Sequence, residues 1–182
     1  VENTQNMVPV VLSHSLHSNR RLHLNTVSEL AANGCIVYCI THTDGSSLSY
    51  QNKDEKALVV YEHSELSKEK AKSMNTHWVR ELGELIETIK EEAKTFRIDL
   101  SKLTALGIEL GGTTVVELSN DYIDEIKYCI SINPSLNLTP TPDFTVPQPF
   151  LTISTAVTSE EESMLDKFID DSMRSTNSAK SR

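Results

Sequence analysis

The sequence predicts an α/β fold in which helices wind around both sides of an open, mostly parallel sheet. Continuous apolar runs such as residues 7–13 suit strands that are buried on both faces of a parallel sheet. These runs alternate with amphipathic segments at helical spacing, the pattern of repeated strand–helix–strand units. A glycine-pinched turn at 107–112 lies between one predicted strand and the next predicted helix.

Composition limits the class of protein. The chain has 182 residues, of which 38% are hydrophobic and 24% charged, typical of a globular domain. We expect one domain over 1–173, with a surface excursion at 46–75 and a disordered tail at 174–182. The net charge of −9 argues against a nucleic-acid partner, because phosphate binding needs a basic patch. No apolar run approaches the roughly 20 residues that span a bilayer. The first residues resemble neither a signal peptide nor a natural start, so we expect a trimmed product.

The elements follow one another at short intervals. In chain order the predictions are a strand at 7–13, a helix at 22–33, a strand at 35–40, a helix at 78–96, a strand at 103–108, a helix-compatible run at 113–118, strands at 126–133 and 150–155, and a helix at 159–173. Gly34 is expected to end the first helix. Cys35, Cys39 and Cys129 fall within predicted strands and are interpreted as reduced, buried thiols, which favours a reducing, cytoplasmic compartment.

Ligands of open α/β sheets gather at the carboxyl ends of the strands. Here that edge carries His14, His42, Glu109 and Asn133. Glu109 stands at the centre of the glycine-pinched turn, which has the strand–turn–helix context of a nucleophile elbow. Gly107, Gly111 and Gly112 are expected to permit the sharp turn and the close packing of the helix. An esterase has a serine where this chain has Glu109.

Four segments (9–14, 30–37, 41–44 and 107–112) fall in the order and spacing of the platelet-activating-factor acetylhydrolases. The chain resembles these serine esterases from about residue 9 to 155. The resemblance implies an α/β-hydrolase-like fold, truncated at its C-terminal end, and leaves secretion open. It places the nucleophile at Glu109 and the triad acid at or beside Asn133, and no histidine follows His77.

The resemblance therefore predicts a catalytically inactive relative that serves as a structural or adaptor subunit, with other protein subunits as partners. Its vestigial pocket is expected to consist of His14, Ser15, His42, Glu109 and Leu110. No cofactor is expected, and no Cys/His spacing resembles a metal site.

Two alternatives remain open at this stage. The first is a hydrolase of the acetylhydrolase type that cleaves phospholipid esters, with Glu109 as a carboxylate nucleophile and His14 or His42 as a borrowed base. The second is a module that binds a lipid or small ester in the old pocket. If Glu109 has no catalytic role, we expect its carboxylate to be buried and to accept the amides at the start of the following helix.

Overall fold

In the computed structural model of the chain, the described residues are 6–51, 58–60, 66–138, 145–155 and 159–179. The strands are β1 (Val8–Ser13), β2 (Cys35–Cys39), β3 (Ser49–Gln51), β4 (Leu58–Val60), β5 (Thr104–Ile108), β6 (Tyr128–Ile132) and β7 (Phe150–Ile153). The helices are α1 (Leu24–Ala32), α2 (Lys68–Glu92), α3 (Leu110–Asp121) and α4 (Ser159–Ala179).

Five strands form one parallel sheet in the order β2-β1-β5-β6-β7. The register places Ser13 of β1 beside Gly107 of β5, so the ends of these two strands meet at the same edge. The open, parallel sheet with helices that was predicted from the sequence is confirmed.

Helices cover both faces of this sheet because its strands are apolar on both sides. On one face, buried side chains of α2, α3 and α4 pack against Val11, Ala105 and Cys129. On the other face, Val27 and Leu30 of α1 pack against a cluster formed by Val10, Leu12 and Leu106. The prediction that all three cysteines are buried is confirmed only for Cys129. Cys35 and Cys39 are half-buried, and all three thiols are free.

The expected surface excursion at 46–75 is partly wrong. Helix α2 begins at Lys68, capped by the Ser67 side chain, which accepts the amide of Lys70 at 3.2 Å. The sequence signal was weak because the first turns of this helix are rich in Lys and Glu. Strands β3 and β4 form a small antiparallel pair that was not predicted, and Ser46 and Ser47 are buried. Residues 52–57 and 61–65 of the excursion lie outside the described residues.

The expected disordered tail at 174–182 also needs correction. Helix α4 extends to Ala179, because no glycine or proline interrupts the chain between residues 174 and 179. Residues 180–182 lie outside the described residues. Among the helices described, none combines the length and apolar character needed to cross a bilayer.

Candidate functional site: the carboxyl edge of the sheet

The turn after β5 has the backbone of a nucleophile elbow. Glu109 adopts φ 54° and ψ −117°, a conformation that side-chain-bearing residues rarely hold. The amide of Glu109 donates to the carbonyl of Ile132 at 2.8 Å, and its carbonyl accepts the amide of Thr113 at 3.1 Å. These contacts hold the turn between β6 and α3.

The glycines of the elbow are required by contact distances. A Cβ on Gly107 would lie 2.0 Å from the carbonyl oxygen of Gly111. A Cβ on Gly111 would lie 2.5 Å from the carbonyl oxygens of both Ser13 and His14, and one on Gly112 would lie 2.8 Å from Ser131 Oγ. The first turn of α3 therefore lies directly against both Gly107 of β5 and the end of β1.

The side chain at the tip of the elbow does not behave as expected. Glu109 is exposed, and it makes no side-chain hydrogen bond to the amides at the start of α3. The prediction that this carboxylate is buried and caps the helix is therefore wrong. An exposed carboxylate is solvated by water and needs no hydrogen bond from the protein.

The chemistry at this edge is concentrated on His42 instead. The hydroxyl of Ser13 lies 3.3 Å from His42 Nε2, and His42 Nδ1 lies 2.6 Å from Glu81 Oε2. Because an ionised carboxylate can only accept, the Nδ1–H group donates to Glu81. The lone pair on Nε2 then accepts the Ser13 hydroxyl. Ser13 and His42 are fully buried, whereas Glu81 is half-buried.

His14 supports the backbone beside this site. Its Nδ1–H donates to the carbonyl of Ser15 at 2.8 Å, and its Nε2 accepts the amide of His42 at 3.2 Å. Ser47 Oγ lies 3.2 Å from the same nitrogen, but its hydroxyl donates to the carbonyl of His42 at 2.6 Å. Of the two serine–histidine contacts, the one between Ser13 and His42 has the geometry of a hydroxyl paired with a base.

The directions of the pKa shifts agree with a neutral His42 imidazole that pairs with the Ser13 hydroxyl and an ionised Glu81. Burial, and then the neighbouring His42 ring, lower the pKa of His14 to about 4. Burial also lowers the pKa of His42, although the Glu81 carboxylate opposes that shift. Burial raises the pKa of Glu81, but the hydrogen bonds from His42 and Thr43 and the nearby charges outweigh it, and the net shift is downward. At neutral pH the site therefore holds neutral imidazoles against an ionised carboxylate.

The remaining predicted positions have structural roles. Asn133, at φ 47°, ends β6, and its Oδ1 accepts the amide of Thr155 at 2.7 Å and its hydroxyl at 3.2 Å. Leu110 is buried in a cluster with Met74 and Trp78. Ser15 is half-buried and contributes its carbonyl to His14. Of the five predicted pocket residues, the structure brings His14, Ser15 and His42 together and packs Leu110 with Trp78, whereas Glu109 is exposed.

Sequence reasoning missed Ser13, Trp78 and Glu81 as site residues. Trp78 fits the apolar face of the predicted helix at 78–96 and Glu81 fits its charged face, so neither residue stands out from the amphipathic pattern. A signal was present, because Trp78 and Glu81 are three residues apart and so project from neighbouring positions of one helix. Among the described residues, no group of three or more His, Cys, Asp or Glu side chains is arranged to hold a metal ion.

A family comparison identifies the chain. The model of the family platelet-activating factor acetylhydrolase, isoform II, matches residues 2–92, half of the 182 residues. The chain belongs to this family. No curated protein sequence matches it.

Solved structures share the fold of this family member. A ferulic acid esterase from Streptomyces cinnamoneus matches with a TM-score of 0.75 and 13% sequence identity, over 93% of this chain and 48% of its own length. A structure described as wild-type AbyA5 matches with a TM-score of 0.55 and 12% identity, over 91% of this chain and 52% of its own. The chain thus spans about half the length of both structures.

These findings overturn the prediction that this acetylhydrolase-family chain is a catalytically inactive relative. The family is one of acetylhydrolases, and the Ser13–His42–Glu81 series places a hydroxyl, a base and a carboxylate at the sheet edge. The prediction placed the nucleophile at the elbow and considered His14 and His42 only as bases borrowed by Glu109, whereas His42 pairs with Ser13 and Glu81. The adaptor-subunit role was inferred from the same absence and loses its basis.

Proposed function

We propose that the protein is an ester hydrolase that acts on short acyl esters, with Ser13 as nucleophile, His42 as general base and Glu81 as the carboxylate that orients the base. The observation that carries the proposal is the pair of hydrogen bonds on opposite nitrogens of His42, at 3.3 Å to Ser13 and 2.6 Å to Glu81. This order of hydroxyl, imidazole and carboxylate defines a serine-hydrolase triad by geometry and role, on whatever element each residue lies.

The reaction follows from these contacts. The Ser13 oxygen attacks the acyl carbon while its proton passes to His42 Nε2, and Glu81 stabilises the imidazolium through the Nδ1–H bond. The imidazolium then returns the proton to the departing alcohol, which leaves Ser13 acylated. Water, deprotonated by His42, attacks the acyl-serine and releases the carboxylic acid. Ser13 and His42 end the cycle in their starting states.

The start of helix α3 is placed to stabilise the negative charge that develops beside Ser13 during the proposed reaction. Gly111, in its first turn, lies so close that an added Cβ would be 2.5 Å from the carbonyl oxygens of Ser13 and His14. The positive end of a helix dipole stabilises an oxyanion that forms near it. The elbow thereby contributes backbone electrostatics, without a nucleophilic side chain of its own.

The burial of Ser13 restricts the substrate. Ser13 and His42 have no exposed surface in this structure, so the residues above them must move before an acyl carbon reaches the hydroxyl. A small acyl group needs the smallest movement. The family is named for acetyl hydrolysis, which agrees with a preference for acetyl esters over long acyl chains. The proposal includes two further points: the ester is that of a phospholipid, and the lipid binds at this edge of the sheet.

The rival nucleophile, Glu109, has less support. Its exposed position on the elbow would admit substrate, but hydrolysis of an acyl–carboxylate intermediate needs a base beside it. Both nitrogens of His42 and of His14 already have partners within the cluster. Association with other protein chains remains a prediction independent of either mechanism.

The test is a kinetic comparison on p-nitrophenyl acetate. We expect Ser13→Ala and His42→Gln to lower kcat/KM by about 10³-fold or more, and Glu81→Gln by a smaller factor. Ser131→Ala is the matched control, since Ser131 is also a buried strand serine whose hydroxyl is hydrogen-bonded, in its case to the carbonyl of Gly112 at 3.0 Å. Equal activity in Ser13→Ala and Ser131→Ala, with both folded, would exclude Ser13 as nucleophile.

A further inference from the structure

One face of the His42 ring is covered by an aromatic side chain whose role the proposed reaction leaves open. Trp78, fully buried on α2, stacks on the imidazole with ring centroids 4.0 Å apart and an interplanar angle of 5°. His14 is tilted against both rings, with centroids 4.6 Å from His42 and 5.4 Å from Trp78. Such a near-parallel stack fixes the plane of the imidazole as well as its position.

The indole is itself held in place by polar contacts. Trp78 Nε1–H lies 3.0 Å from Asp44 Oδ2 and 3.1 Å from Ser46 Oγ. Asp44 in turn accepts the amide of Ser46 at 3.0 Å, and the Ser46 hydroxyl also bonds the same carboxylate. Rotating the indole out of the stack would leave a buried N–H group without an acceptor, which is costly.

The hydrogen bonds of His42 do not fix the tilt of its ring. One bond lies at Nδ1 and the other at Nε2, so the ring can rock about the line joining the two nitrogens with little change in either N···O distance. A rocking imidazole directs its Nε2 lone pair away from the Ser13 hydroxyl. A flat surface on one face of the ring blocks that motion.

We propose that Trp78 is a positioning residue that holds the His42 imidazole in the plane of its hydrogen bonds to Ser13 and Glu81, and that Asp44 acts on His42 by anchoring the indole. The catalytic consequence rests on the proposed function, but the effect on the ring does not. The role belongs to the flat aromatic surface, so phenylalanine should replace tryptophan at this position better than leucine.

The experiment compares Trp78→Phe, Trp78→Leu and Asp44→Ala by NMR of the His42 Nδ1–H proton and by kinetics on p-nitrophenyl acetate. In Trp78→Leu we expect exchange of this proton with water to rise at least about tenfold and kcat to fall about 10- to 100-fold, with KM within about threefold. Trp78→Phe should retain the slow exchange and most of kcat. Asp44→Ala, which keeps the tryptophan, should give an intermediate result.

Leu82→Ala is the control for general loosening of α2, because Leu82 is fully buried one turn after Trp78 and is aliphatic. If Leu82→Ala accelerates Nδ1–H exchange as much as Trp78→Leu does, the stack has no specific role and the proposal is overturned. Equal behaviour of Trp78→Phe and Trp78→Leu would overturn it too. If exchange responds as expected but His42→Gln keeps full activity, the positioning role stands and the proposed reaction fails.

Discussion

The His42 cluster (Ser13, His42 and Glu81) and the elbow at Glu109 lie at the same edge of the sheet, yet they differ in backbone geometry and in side-chain chemistry. The elbow has the strained backbone and the tightly packed glycines, and its side chain points into solvent. The cluster spans the end of β1, the loop after β2 and helix α2, and its hydroxyl, imidazole and carboxylate groups form a network in which Ser13 and His42 are fully buried. The difference shows that backbone geometry and side-chain chemistry at one sheet edge can be held by separate elements.

Gly111→Ala should have the largest effect, because it breaks the contact that joins the two regions. The added Cβ would lie 2.5 Å from the carbonyl oxygens of Ser13, the last residue of β1, and of His14, which cannot move without disturbing the sheet. We expect a loss of about 3 kcal/mol or more in the free energy of unfolding, measured by urea denaturation.

Gly34→Ala is the matched control for that variant. Gly34 has φ 88°, but an added Cβ there meets nothing within 4 Å. Its cost should be the backbone strain alone, about 1 kcal/mol. Equal losses in the two variants would mean that the close approach of α3 to β1 does not constrain position 111.

Acid should weaken the cluster before it affects the elbow. The pKa of His14 is lowered from 6.5 to about 4 by burial and by His42, so below pH 6.5 the unfolded chain takes up a proton that the folded chain refuses. Above pH 6.5 the titration of His14 does not lower the free energy of unfolding. Between pH 6.5 and pH 4 it should lower that free energy by about 3 kcal/mol. The lowered pKa of His42 acts in the same direction, whereas Glu81 matters only below its ordinary value of 4.5.

Urea denaturation at intervals between pH 7 and pH 4 measures this slope. A His14→Asn variant should be less stable at pH 7 but lose less stability with acid. Asparagine does not titrate, so unfolding of this variant takes up one proton fewer. An unchanged slope in that variant would show that His14 is not kept neutral by the fold.

Asn133→Ala should have a moderate effect. The amide oxygen of Asn133 accepts two hydrogen bonds from Thr155, and the substitution leaves those groups to find water. We expect a loss of about 1–2 kcal/mol in the free energy of unfolding. Asn133→Asp retains the acceptor and should lose less. If aspartate and alanine destabilise equally, the contact to Thr155 has no energetic role.

Glu109→Gln should have the smallest effect. The side chain is exposed and makes no cap hydrogen bond, so the free energy of unfolding should change by less than about 0.5 kcal/mol. The charge of Glu109 raises the pKa of His23 against the lowering by burial, so removing it should lower that pKa slightly further. NMR titration of His23 measures the shift, and an upward shift would contradict the electrostatic influence of Glu109 on His23.

Much of the fold was predictable because it is encoded locally. The apolar runs predict the strands, and the glycines at 107, 111 and 112 predict the elbow, whose close contacts the structure confirms. The meeting of His14 and His42 at one edge also follows from the parallel order of β1 and β2.

The hydrogen-bonded series of Ser13, His42 and Glu81 was not predictable in the same way. Ser13 ends an apolar strand and carries no sequence signal of its own. Glu81 lies 39 residues from His42 along the chain, and the pair forms only because α2 packs behind the sheet edge. The exposure of Glu109 depends on the local φ and ψ of the elbow, which residue types alone do not determine. Tertiary packing therefore decides which carboxylate meets the base.

The most direct test of the central claim is to trap the acylated protein. The purified chain is mixed with p-nitrophenyl acetate, quenched in acid within the first turnover and mapped by peptide mass spectrometry. We predict an acetyl group on Ser13, absent from Ser13→Ala and from His42→Gln and present in Ser131→Ala. An adduct on Glu109, or no adduct on the folded protein, would contradict the assignment of catalysis to the His42 cluster.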